Sequence, residues 1–123
     1  MVSILEELIE GISIATELPV YSEMPNGSFQ LPMIVISETN YQLSTLSFSG
    51  DVEVAKLTYQ ISIYSENVDD IFTYQELIED FFKENVKRFK GTASAVQQRY
   101  PIYYRTLVYD GKVKKQNDNY YIL

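Results

Sequence analysis

The 123-residue sequence predicts an α+β fold, a small antiparallel or mixed sheet packed against two helices in a single domain. Three observations lead there. Apolar residues recur at helical spacing in two stretches, one near the amino terminus and one in the middle of the chain. Residues 57–64 alternate strictly between apolar and polar side chains. An Asp-Gly pair near the carboxy terminus stands between strand-forming residues, a strong cue for a hairpin. A chain of this length is expected to build one hydrophobic core, and 46% hydrophobic with 22% charged residues is an ordinary globular composition.

The elements follow in order. Ser3-Ile4-Leu5-Glu6 has the spacing of a capping box, so the first helix is expected to start there. Ile4, Leu5, Leu8, Ile9 and Ile12 form its apolar stripe opposite Glu6, Glu7 and Glu10. Leu18-Pro19 closes the helix, and Pro25-Asn26-Gly27 marks a turn within an irregular connection running to Pro32. Met33 to Ser37 reads as a short buried strand. Residues 38–51 are rich in Ser, Thr and Asn and read either as a long loop or as a loosely specified hairpin. Leu57, Tyr59, Ile61 and Ile63 define the inner face of the next strand. Upstream, Leu46, Phe48, Val52 and Val54 share the other parity, which predicts a bulge or bend near Ala55-Lys56.

Asn67 is suited to cap a second helix, with Asp69 and Asp70 in its first turn, where carboxylates favour the positive end of the helix dipole. Its stripe is Val68, Ile71, Phe72, Ile78, Phe82, Val86 and Phe89, widened by Leu77 and Phe81. Lys87, Arg88 and Lys90 are expected in its last turn before Gly91. The tail then reads as a hairpin, Ile102 to Tyr109 and Lys112 to Ile122, turning at Asp110-Gly111.

Composition removes most catalytic constellations. The sequence has no Cys and no His, which excludes disulfides, thiolate zinc sites, Cys nucleophiles and imidazole relays. Asp69-Asp70 reads as capping, since helical neighbours point about 100° apart. Glu79 with Lys83 and Glu84 with Arg88 read as solvated i,i+4 pairs. No catalytic, cofactor-binding or metal-ligating residue is expected, and no cofactor. The amino terminus lacks the basic region of a signal peptide, and no apolar run approaches the roughly 20 residues of a membrane span.

Charge is polarised along the chain. Residues 1–82 hold fourteen acids and one base, Lys56, whereas residues 83–123 hold nine bases and three acids. Helix-dipole matching and a solvated tail account for part of this. The functional reading is an acidic surface that meets the basic surface of a neighbour, favouring head-to-tail assembly. The net charge of −7 disfavours nucleic acid and anionic membrane as partners. The candidate interface residues are Leu43, Leu46 and Phe48 in the 38–51 segment, which contains no base, together with Arg99, Tyr103 and Arg105 in the Tyr-rich tail. Tyr and Arg are enriched at interface hot spots. The same residues could serve ordinary sheet packing or single-stranded nucleic acid.

The element order resembles the tail-completion or tail-terminator proteins of long-tailed bacteriophages. The residues carrying the resemblance are Pro19-Val20-Tyr21, Leu31 to Ile36, Leu57 to Ser65, and the close from Tyr104-Arg105 through Asp110-Gly111 to Tyr120-Tyr121. The resemblance implies a non-enzymatic subunit that forms a ring, commonly a hexamer, capping the tail tube and joining it to the head or neck connector. Its partners would be itself, the tail tube protein and a head-completion protein, and its place the virion, after assembly in the host cytoplasm. DNA would pass through the ring without specific binding, and no membrane is involved. Within this reading, residues 38–51 line the lumen or meet the tube. A cytosolic protein-protein adaptor or inhibitor domain is the alternative.

Overall fold

A computed structural model describes residues 4–27, 30–46, 52–116 and 119–122. The element order is α1 (Ile4–Thr16), β1 (Val20–Tyr21), β2 (Met33–Leu46), β3 (Val52–Ser65), α2 (Val68–Asn85), β4 (Lys90–Ala93), β5 (Gln97–Arg99), β6 (Ile102–Gln116) and β7 (Asn119–Ile122). The sheet runs β1-β2-β3-β6-β4, with β5 and β7 also paired to β6. Only β1 and β2 pair in parallel, so the sheet is mixed and the fold is α+β, as the sequence predicts. One edge of the long β6 pairs with β3 throughout, and the other is covered by three short strands in succession.

Both helices pack on one sheet face, where the side chains of β3 are almost wholly apolar. Ala55, Leu57, Tyr59, Ile61 and Ile63 of β3 are each exposed by 2% or less. Ile34 and Ile36 flank them on β2, and Leu107, Tyr109 and Val113 on β6. Ile4, Leu8, Ile12 and Thr16 turn one stripe of α1 inward at four-residue intervals. Glu17, at φ 58°, then stops the helix in the left-handed region, and its N–H donates to Ser13 O at 2.8 Å. Helix α2 begins as expected: Asn67 Oδ1 accepts from Asp69 N at 2.9 Å. Its Phe82 ring lies flat on Tyr109, centroids 3.7 Å apart and planes 4° apart.

Four sequence expectations are corrected. First, the strand expected at Met33 to Ser37 continues to Leu46 and pairs antiparallel with β3, so of the two readings of residues 38–51 the described part bears out the hairpin and overturns the loop. Second, the bulges lie on β2, between Glu38 and Asn40 and between Leu43 and Thr45, whereas β3 pairs with β6 without interruption. The first bulge reverses the parity of β2: Ile34 and Ile36 oppose Ile63 and Ile61, and beyond it Tyr41 and Leu43 oppose Leu57 and Ala55.

Third, α2 ends at Asn85, and Lys83 is the base in its last turn. Val86 bonds back to Phe82 O, and Phe89 N–H donates to Val86 O, a tight turn that buries Phe89 from outside the helix. Lys87 and Arg88 therefore follow the helix, Gly91 lies within β4, and Phe72 is 51% exposed. Fourth, β6 runs straight through Asp110-Gly111. Asp110 accepts from Thr58 Oγ1, and Gly111 leaves the space that the Phe89 ring occupies. Ser3, the expected cap, lies outside the described residues.

Candidate interaction surfaces

The predicted interface residues separate into two groups near opposite ends of the sheet. Leu43 stands opposite Ala55, which pairs with Val113, whereas Tyr103 opposes Ser65 at the other end of β6. Leu43 and Tyr41 are each 48% exposed although they oppose buried core residues, because neither helix covers this stretch of β2. The Tyr41 hydroxyl donates to Glu53 Oε2 at 3.2 Å. Leu46 opposes Glu53 in the ladder, and Phe48 lies outside the described residues.

In the second group the three residues differ in what they touch. Arg105 is half-buried and bound within the molecule. Its Nε donates to Ser94 O, its NH1 donates to Gln75 Oε1 at 2.8 Å, and its guanidinium lies 5.5 Å from the centroid of Phe72. It ties α2 to the segment between β4 and β5, which is a structural duty. Tyr103 packs against the core while its hydroxyl accepts from Gln98 Nε2. Arg99 is exposed at the end of β5, where it pairs with Ile102 across the turn Tyr100-Pro101. Tyr100, at the apex, is 88% exposed.

Arg99 also borders a hollow of about 300 Å³ on the sheet face away from the helices, lined by Met24, Leu31, Met33, Tyr64, Ile102 and Tyr104. Tyr64 and Tyr104 stack there with centroids 5.7 Å apart, and the Tyr104 hydroxyl donates to Gln97 Oε1 at 2.9 Å. The rest of that face is mixed, with Val35 opposite Ser62 and Val108 opposite Gln60. Ser62 and Thr106 hydroxyls meet at 3.1 Å, and Lys56 stands directly opposite Lys112, a like-charge arrangement that costs stability in an isolated sheet.

A groove of about 670 Å³ lies between the two helices, and sequence reasoning did not single it out. Gly11, Ile14, Leu77 and Phe81 give it an apolar lining, and Ile14 is 72% exposed. Glu7, Glu10, Asp80 and Glu84 also line it, and among the described residues no Lys or Arg does. Two signals in the sequence point to it: an isoleucine off the inward stripe of α1, and a glycine within a helix, where glycine is costly. A Cβ at Gly11 would meet the Phe81 ring at 2.5 Å, so the glycine is what lets the helices approach.

One titratable group is clearly perturbed. Burial, reinforced by the negative charge of Glu79, raises the Tyr109 hydroxyl to about 12. It is a core tyrosine stacked on Phe82, outside the groove. Among the described residues no group of three or more acidic side chains is placed to hold a metal ion, and no helix is long and apolar enough to cross a membrane. The sequence matches no protein-family model and no curated protein.

Proposed function

We propose that this chain is a non-enzymatic structural subunit of a long-tailed bacteriophage, one that caps the tail tube as a ring and joins it to the head or neck connector. The observation that carries the reading is the end of β2, where the apolar Leu43 is 48% exposed on a long paired strand. Apolar side chains left outside the core on an otherwise well-packed sheet are what an assembly contact needs. The segment that bears them, residues 38–51, contains no base, so a lining made from it would not hold phosphate as DNA passes. The order helix, strand, alternating strand, helix and strand-rich close is the part of the family resemblance that the element order keeps, while the long loop at 38–46 and the turn at Asp110-Gly111 are not kept.

The test is electron microscopy of the purified full chain with and without phage tail tubes, alongside complementation of a phage lacking the chain. Rings seated on tube ends and restored joining of tails to heads are expected. Tubes left uncapped, with joining indifferent to the chain, would overturn the reading.

A further inference from the structure

We infer that the chain binds a second copy of itself head to tail, the β5–β6 tip of one copy seated in the groove between α1 and α2 of the next. Such a contact would supply the ring with its subunit interface, and it rests on the tail reading above for its biological role. Shape and charge argue for it independently. Among the described residues the groove has an apolar lining, four carboxylates and no base, which calls for an occupant that is apolar at its point and cationic beside it. The tip has that chemistry: Tyr100 projects at 88% exposure, and Arg99, which precedes it in the chain, is exposed as well. Tyr and Arg are enriched at interface hot spots, and an Arg–carboxylate pair makes strong charge-assisted hydrogen bonds. A volume of about 670 Å³ is ample for one tyrosine side chain and its neighbours.

The two features cannot meet within one molecule. Ile122, which lines the groove, pairs with Val113, whereas the tip joins β6 at Ile102. The intervening stretch of extended β6 is roughly 36 Å long, at about 3.3 Å per residue. A tip seated in the groove therefore belongs to another copy. Because tip and groove are different patches, each bound copy still offers one of each, and the contact propagates until a ring closes or a filament grows. The charge pairing makes it weaken with salt.

The experiment uses two full-length variants, Tyr100→Ser with Arg99→Glu at the tip, and Ile14→Arg in the groove. All three positions are exposed, and circular dichroism melts check that both variants fold. Sedimentation velocity and native mass are then read for wild type, each variant and their equimolar mixture. Wild type should form salt-sensitive oligomers, and each variant alone should be monomeric, with self-affinity lowered about 30-fold or more. The mixture should give a one-to-one dimer and nothing larger, since it holds one intact tip and one intact groove per pair. The contact is overturned if wild type stays monomeric to about 1 mM, if either variant assembles as wild type does, or if the mixture forms no dimer. A mixture that dimerises while wild type fails to restore tail joining would leave the contact standing and remove the tail reading. Full complementation by the tip variant, with no dimer in the mixture, would do the reverse.

Discussion

Tyr109 shows how one buried side chain makes stability depend on pH. Its phenol is raised to about 12 by burial, with the charge of Glu79 adding to the effect, against about 10 in an unfolded chain. The folded state thus favours the neutral form. The resulting stabilisation is fully present below the unfolded value and is lost as pH rises through 10 towards 12. Urea melts over that range should show a smaller decline for Tyr109→Phe than for wild type; parallel curves would mean that the hydroxyl is not held neutral. Glu17 is a second residue whose conformation matters more than its contacts. At φ 58° it occupies a region that costs a residue with a Cβ roughly 1–2 kcal/mol. Glu17→Gly should therefore raise stability by about 0.5–1 kcal/mol after glycine's extra unfolded-state entropy, measured by denaturant midpoint. The Asn67 cap was legible because its chemistry is local. The strain at Glu17 was not, because Glu gives no hint of a left-handed turn.

At the scale of elements, the strands were legible from alternation and the start of α2 from its Asn67 cap, but two ends were misplaced for one physical reason. A local signal was outweighed by a tertiary partner. Asp110-Gly111 has hairpin chemistry, yet β3 and β4 flank β6 there and Phe89 occupies the space that Gly111 leaves. Gly111→Ala would place a methyl group against that ring on a strand paired on both sides. It should cost about 1–3 kcal/mol, as overpacking does, and an unchanged melting midpoint would contradict this packing. The same Phe89 carries the apolar stripe of α2 past the helix itself, so periodicity alone extends the helix too far. Phe82, by contrast, was placed correctly by its spacing. It is 2% exposed and stacked on Tyr109, and Phe82→Ala should cost about 3–5 kcal/mol in denaturant melts.

For the whole molecule, the sequence reveals which residues turn inward far better than which outward surfaces lie together. The groove needs α1 and α2 side by side, and no single-element pattern displays that neighbourhood. Arg105 illustrates the converse: an exposed-looking arginine in a Tyr-rich tail is spent on Gln75, Ser94 and Phe72. Leu43 remains the predicted contact residue whose placement best suits a partner. It sits in a strand paired on one side to β3, uncovered by either helix and 48% exposed. Excising the segment would be a poor test, because Leu43, Thr45 and Leu46 are ladder partners of Ala55, Val54 and Glu53. A point change separates folding from joining. Leu43→Glu keeps the backbone hydrogen bonds and removes little buried area, so thermal stability should change by less than about 1 kcal/mol. Placing a carboxylate in a contact should nevertheless lower tail-to-head joining in complementation by roughly tenfold or more. Joining at the wild-type level would remove this end of β2 from the interface. A loss of several kcal/mol would instead mean that Leu43 packs within the fold.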